Sequence, residues 1–456
     1  MALDNIVAQE LATRFGDRFT QNPTERLNHA GGESHHVKQP PDAVVWPLSS
    51  DEVAAIVRVC VAHDTPVIGY GLGSSLEGHV SAVRGGVAID MMRMERILRV
   101  SPDDLDCTVE AGITREALNT GLRASGLFFP VDPGANATLG GMAATRASGT
   151  TTVRYGTMSE NVLSLKVVTP EGEIIHTGAR ARKSSAGYDL KHLYIGSEGT
   201  LGIITELTLR LHGRPEVVVA GVATFPGPDE ASRSAIEAIQ AALNPQRMEY
   251  LDAGGIRGVN AVAHLGEDEA DTLFFEFAGS GDEVAAQVAF FEDIARDNGA
   301  LSFRTATAQE DRERLWRARH GAYPASLSLR PGSKGWLTDV CVPIGALAEN
   351  VTAAKALMAA CPVPSVVLGH VGDGNFHVIF ALDPENADEM AAVEAVNEKI
   401  VARALASGGT CTGEHGVGLG KMRFMEAEHG AALGIMRRLK AALDPKGLFN
   451  PGKMLP

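Results

Sequence analysis

The sequence predicts an α+β protein of two domains, and three observations carry that reading. At 456 residues the chain exceeds the size at which one hydrophobic core stops growing. Up to about residue 215 the pattern is one of short strands, glycine-rich turns and few helices, without regular βαβ alternation. Beyond Pro215 the order of elements becomes βαββαβ, that of a ferredoxin-like unit.

In the first half, strands are expected at Val44–Pro47, Val67–Gly69, Val87–Asp90, Asp106–Glu110, Val162–Thr169, Ile174–Thr177 and Ile203–Leu211. Helices are expected at Asp51–His63 and Arg115–Ser125. The opening segment spaces Ile6, Leu11, Phe15 and Phe19 as an amphipathic helix. It carries Asp4, Glu10 and Asp17, which suits neither a signal peptide nor an acid-poor transit sequence. In the second half the strands are Val217–Phe225, Met248–Leu251, Thr272–Phe277 and Ser302–Thr305, separated by helices at Asp229–Leu243 and Glu283–Asn298. A strand at Asp339–Val342, a helix at Ile344–Ala360, a hairpin around Asp373 and a helix at Pro384–Ser407 complete a single antiparallel sheet covered by helices. The division is therefore 1–214, 215–410 and a closing segment 411–456 that returns to glycine-rich loops.

Composition narrows the partners. A net charge of −15 offers no basic face for nucleic acid. The five cysteines, Cys60, Cys107, Cys341, Cys361 and Cys411, include no CxxC pair, which points to a reducing compartment and a cytoplasmic location, with the inner face of the membrane also open. Apolar runs such as Val217–Phe225 are too short to cross a bilayer. Fifty glycines exceed the average usage of about 7%, and they cluster in loops, where backbone can approach a ligand closely.

Three of those loops lie in the first half. PVIGYGLGSSLEG (66–78) follows a strand but lacks the third glycine of a dinucleotide fingerprint, Ser74 or Leu76 standing in its place. PVDPGANATLGGMAATRASG (130–149) and GSEGTLGIIT (196–205) add small residues and backbone N–H groups suited to a pyrophosphate. Together they suggest a phosphorylated cofactor held by backbone, with tight turns in a compact sheet as the competing reading.

In GHVGDGNFHVIF (369–380) two histidines flank a Gly-Asp-Gly turn. With Asp373 and Gly374 at the centre of a two-residue hairpin, His370 faces His377 with Cβ atoms roughly 5 Å apart. Two imidazoles so placed can share a divalent metal; buried histidines bonded to backbone are the alternative. Glu414, beside His415 in GGTCTGEHGVGLGK (408–421), is the candidate third ligand, and two histidines with one carboxylate leave coordination positions open for substrate.

PVIGYGLGSSLEG, PVDPGANATLGGMAAT, GSEGTLGIITELTL, GHVGDGNFH, CTGEHGVGLGK and FNPGK, in this order, closely resemble the FAD-linked oxidases of the vanillyl-alcohol-oxidase fold. The run 315–344 resembles the cytochrome-linked, FAD-dependent D-lactate dehydrogenases within that family. The resemblance implies an FAD domain built from the N-terminal half and the C-terminal tail, with the middle sheet as a substrate cap. It implies that Gly71, Gly73, Ser74, Ser75 and Gly78 cradle the pyrophosphate. Pro133, Thr138, Gly140, Gly141, Thr145, Ser148 and Gly149 would line the flavin side, Glu198, Gly199 and Ile203 would meet the adenosine and ring regions, and Asn450 would lie near the ring. Ser74 stands where covalently flavinylated relatives often carry histidine, so FAD is expected to be non-covalent.

By the same resemblance the reaction is oxidation of a D-2-hydroxy acid by hydride transfer to flavin N5, with zinc or manganese held by His370, His377 and Glu414, and His415 as general base. Arg319 would meet the substrate carboxylate; within the charged helix 312–319 alone, a solvated face is the other reading. Lys334 is a weaker candidate for that role. Ile379 occupies the position where relatives acting on 2-hydroxyglutarate carry asparagine, which favours short side chains such as that of D-lactate. Glycolate oxidase flavoprotein subunits and D-2-hydroxyglutarate dehydrogenases are the alternatives within the class. A metallohydrolase and a non-catalytic cofactor-binding module are the alternatives outside it. The acceptor stays open among cytochrome c, quinone and an electron-transfer flavoprotein, as do a homodimer and a peripheral membrane contact.

Overall fold

A computed structural model of the chain describes residues 3–32 and 35–456. It separates into two compact units: Met1–Ser148, Gly156–Arg214 and Glu414–Pro456 form the first, Gly149–Tyr155 and Pro215–Gly413 the second.

Among the described residues the first unit holds a two-stranded pair, Leu127–Phe128 with His212–Gly213, and two larger sheets. One runs Phe19–Thr20, Ala43–Val45, Val87–Asp90, Val67–Tyr70, the last three strands parallel. Every residue of Val87–Asp90 is buried, as a parallel strand covered on both faces requires. The other is a five-stranded antiparallel sheet in the order Ile97–Ser101, Asp106–Glu110, Ile203–Arg210, Val162–Val168, Ile174–Gly178. The helix Ser50–Ala62 starts where the Ser49 side chain accepts from Glu52 N, and it buries Val53, Ile56, Val57 and Cys60 on one stripe. The first helix, Asn5–Phe15, departs from expectation: its buried stripe is Val7, Leu11 and Phe15, and Ile6 is exposed. Gly16, at φ 56°, ends it before Phe19, which pairs as strand.

In the second unit the strands are β1 (Val217–Phe225), β2 (Arg247–Leu251), β3 (Asp271–Gly279), β4 (Ser302–Ala306), β5 (Lys334–Leu337), β6 (Val340–Cys341), β7 (Ser365–His370) and β8 (Asn375–Leu382). They form one antiparallel sheet ordered β4-β1-β3-β2-β7-β8-β5, with β6 paired to β8. One face carries the helices α1 (Ala253–Ala263), α2 (Gln309–His320) and α3 (Ala322–Ser328), whose Ile256, Trp316, Ala318 and Ala322 pack with Leu251, Phe274, Leu368 and Ile379. Helix α1 was not expected, because Gly254, Gly255 and Gly258 lower helix propensity by nearly 1 kcal/mol each. Tertiary packing overrides that: a methyl group at Gly258 would sit 2.9 Å from the Ala325 carbonyl oxygen, so glycine is what lets α1 approach α3.

The hairpin differs in register from the sequence reading. Strand β7 ends at His370 and β8 begins at Asn375, so the loop has four residues, and His370 pairs with Asn375 while His377 pairs with Leu368. The Asp373 N–H bonds back to the His370 carbonyl at 3.2 Å, closing the wider turn. The two histidines are therefore diagonal rather than opposed. They stay on one face because the offset is two residues, the period of a strand.

Candidate active site

Within the first unit the three glycine-rich loops converge. Gly71 follows the parallel strand Val67–Tyr70, and a methyl group there would overlap Thr138 Oγ1. Thr138 caps the helix Leu139–Thr145 by accepting from Gly141 N, and Thr145 Oγ1 donates to the Gly141 carbonyl at 3.2 Å. Part of what reads as a loop in 130–149 is thus helix, since LGGMAAT buries Leu139, Met142 and Ala143. Gly140 has no room for a side chain, a methyl group there lying 2.6 Å from Ala111 Cβ. The third loop docks through Gly196 N to the Ala143 carbonyl and Glu198 N to the Ala144 carbonyl.

The C-terminal segment closes this cradle from behind. Glu198 is buried with a positive φ of 54°, and its two carboxylate oxygens accept from Val417 N at 2.7 Å and Gly418 N at 2.9 Å. Asn450 Nδ2 donates to the Glu198 and His79 carbonyls, at 2.7 and 3.1 Å. Lys453 donates to the Ser81 carbonyl at 2.5 Å, and burial pushes its ammonium down to about 8. The loop beginning at Glu414 is pinned beside the cradle, with Ser148 Oγ 3.2 Å from Glu414 Oε2 and His415 Nε2 3.5 Å from Glu414 Oε1. Ser75 Oγ is buried and, among the described residues, has no hydrogen-bond partner. An orphaned hydroxyl beside glycines that admit no Cβ fits a phosphorylated cofactor. Of the remaining residues named from sequence, Gly73 and Gly78 have positive φ in the first loop, Gly199 has open space beside it, and Ile203 is buried. Ser74 and Pro133 are half-buried, while Gly149 belongs to the second unit, its N–H donating to Thr152 Oγ1.

The second unit brings His370 and His377 together with ring centroids 5.6 Å apart and planes at 82°. His370 Nδ1 lies 2.8 and 2.9 Å from the Glu249 carboxylate oxygens. His377 Nδ1 lies 3.2 Å from the Thr338 carbonyl and 3.5 Å from Asp339 Oδ1. With each Nδ1 set against an acceptor, Nε2 is the nitrogen whose lone pair can coordinate, the arrangement expected of metal-ligating histidines. Arg319 is buried on α2 and donates from Nη2 to Glu249 Oε2 at 2.6 Å, whereas Arg317 on the same helix is exposed. Its burial excludes the wholly solvated reading of the charged helix: Arg319 faces the sheet. Lys334 is exposed at the start of β5. Ile379 is in the apolar core, two residues beyond His377 on the same face.

Sequence reasoning missed Glu249 and Asp339. The signal for Glu249 is a carboxylate in the otherwise apolar stretch MEYL of β2; its partners, 70 and 121 residues away, had no local trace. Asp339 is fully buried and accepts from Asn375 Nδ2 at 2.8 Å and Thr412 Oγ1 at 2.7 Å.

A glycine cradle in a mixed α+β unit, with a separate antiparallel-sheet unit carrying paired histidines, fits a two-unit cofactor-binding protein. Comparisons with known proteins agree. Residues 41–178 match the family described as "FAD binding domain" and 214–454 match "FAD linked oxidases, C-terminal domain". The chain is 46% identical to a probable mitochondrial D-lactate dehydrogenase of Danio rerio, over 100% of this chain and 92% of the relative. It is 43% identical to the mitochondrial D-lactate dehydrogenase [cytochrome] of Arabidopsis thaliana, over 98% of this chain and 79% of the relative. The solved structure of p-cresol methylhydroxylase with substrate bound superposes with a TM-score of 0.80 at 18% identity, covering 98% of this chain and 96% of that one, which speaks for the fold alone. The chain belongs to the FAD-linked oxidase family, and it is an FAD-dependent enzyme of the vanillyl-alcohol-oxidase fold.

These relatives overturn the expected cytoplasmic location, since both are mitochondrial proteins. Cysteine usage reports redox conditions and not an address, so it could not distinguish one reducing compartment from another.

Proposed function

We propose that the chain oxidises a D-2-hydroxy acid, with D-lactate favoured, to the 2-oxo acid, and that His370, His377 and Glu414 hold a divalent cation in doing so. The observation that carries the site is a covalent one. Gly413, the last residue of the second unit, packs against Asn375 and Asp339, a methyl group on it falling 3.1 Å from Asp339 Oδ1. Asp339 in turn lies beside His377. Glu414 is the next residue, so its Cα is about 3.8 Å from that of Gly413, and a carboxylate of that reach can join the histidine pair. The names of the relatives support the substrate.

Bound FAD supplies the two-electron acceptor, and a bound zinc or manganese ion supplies a Lewis acid for the substrate hydroxyl. His415 takes the hydroxyl proton, while the C–H hydrogen leaves as hydride. Arg319 presents positive charge to the substrate carboxylate; Nη2 engages Glu249, and Nε is buried without a hydrogen-bond partner among the described residues. Ile379 keeps the far side apolar, which disfavours a second carboxylate. Gly71, Gly73, Ser75, Thr138, Gly140 and Gly141 form the cofactor cradle, with Glu198 and Asn450 holding its shape. An acceptor of the cytochrome type, as the Arabidopsis relative's name specifies, would reoxidise the flavin.

Anaerobic mixing of the yellow protein with D- and L-lactate, glycolate and D-2-hydroxyglutarate tests the reading. Bleaching of the flavin by D-lactate, with slower reduction by glycolate and D-2-hydroxyglutarate and none by L-lactate, is the expected result; reduction by none of them sinks it. Arg319→Met should raise KM for every 2-hydroxy acid by about 10- to 100-fold, the loss of a charge-assisted hydrogen bond. An unchanged KM at wild-type FAD content would clear Arg319 of contact with the carboxylate.

A further inference from the structure

Glu249 has no role in the proposed chemistry, yet two functional side chains meet on it. Its side chain is 1% exposed, on the face of β2 that carries Leu251. The pairing of Tyr250 with Gly369 and of Leu251 with Leu368, continued by one step, sets Glu249 opposite His370. Helix α2 crosses this face and lowers Arg319 onto the same carboxylate. A lone carboxylate buried this deeply is strongly disfavoured, and the Arg319 guanidinium, its side chain 6% exposed, neutralises it.

We propose that Glu249 is a positioning residue that orients the metal ligand and the carboxylate-binding arginine from one anchor. This inference rests on the proposed reading of His370 and Arg319. Glu249 accepts from His370 Nδ1–H, which selects the tautomer with the Nε2 lone pair available and fixes the ring's rotation. Through Oε2 it holds Arg319. A 2-hydroxy acid must reach a metal-bound hydroxyl position and a guanidinium together, and the separation of those two points is set by one rigid strand residue rather than by two independent side chains. The hydrogen bond from His370 to the carboxylate also makes the imidazole a stronger ligand, because a negative acceptor on Nδ1 raises the electron density at Nε2.

The test uses the flavin-loaded full chain, stripped of metal with a chelator and titrated with Zn2+ or Mn2+ alone against a fluorescent competitor. Glu249→Gln keeps an acceptor but loses the charge, and should weaken metal affinity by about 10-fold. The double variant Glu249→Met with Arg319→Met removes both charges, avoids a stranded ion, and should weaken it by about 100-fold while the yellow spectrum is retained. A role confined to neutralising Arg319 predicts instead that the double variant binds metal as the wild type does, and that result overturns the proposal. Should Glu249→Gln not fold, the double variant carries the test by itself. If the wild-type protein binds no metal, the reading of the histidine pair fails; if it binds metal and the variants match it, only the role of Glu249 fails.

Discussion

His370→Ala is expected to keep its FAD, lose its metal and turn over D-2-hydroxy acids about 10³-fold more slowly, the size of a Lewis-acid contribution of several kcal/mol. FAD is expected to survive because the cradle belongs to the other unit, where bonds such as Gly141 N to Thr138, Val417 N to Glu198 and Asn450 to the Glu198 carbonyl hold it. The fold survives because Glu249, which loses one partner, keeps the 2.6 Å bond to Arg319. Metal content by elemental analysis and flavin content by absorbance, measured on the same sample, separate the two sites. A variant that retains one metal per chain would refute His370 as a ligand, whatever its activity. His377→Ala should behave alike, since the two rings meet on one face of the sheet.

Glu198→Gln is expected to destabilise the first unit by about 2–3 kcal/mol, the range for losing hydrogen bonds to a buried charge. The carboxylate is what ties the segment after Glu414 to the cofactor cradle, through Val417 N and Gly418 N. Burial opposes its ionisation, but His79, 3.4 Å away, and the two backbone N–H groups outweigh burial and hold the carboxyl below the usual value of 4.5. A depressed folded value means that this contribution is complete above about pH 4.5 and is lost as pH falls further through the folded value. Urea denaturation of wild type and variant should therefore show a gap at pH 7 that narrows below about pH 4.5. A gap that stays constant across that range would show that ionised Glu198 is not what stabilises the segment.

Much of this was legible before any coordinates. The largely apolar runs at Val217–Phe225 and Thr272–Phe277 and the helical spacing of Val53, Ile56, Val57 and Cys60 predicted their elements because local pattern and burial coincide there. The strand Ile97–Ser101 escaped notice because it lies at a sheet edge, half exposed, and carries Arg99 in place of clean alternation. Helix α1 escaped because its glycines serve a neighbouring helix and not the helix itself. The hairpin was found, but its register was misjudged: Asp-Gly favours a two-residue turn, whereas Val371, fully buried, and Gly372, packed against Met248 and Val153, draw four residues into the loop.

The amino-acid order by itself determined which residue types stand at which spacing: glycines where backbone must come close, two histidines about one turn, a carboxylate before a histidine in a pliant loop. Only the tertiary structure decided that Glu249 lies between His370 and Arg319, and that Glu198 anchors a segment more than two hundred residues further on. The reason is that strand register and helix docking set these neighbours across long separations, and a shift of one residue along a strand would turn each side chain to the opposite face.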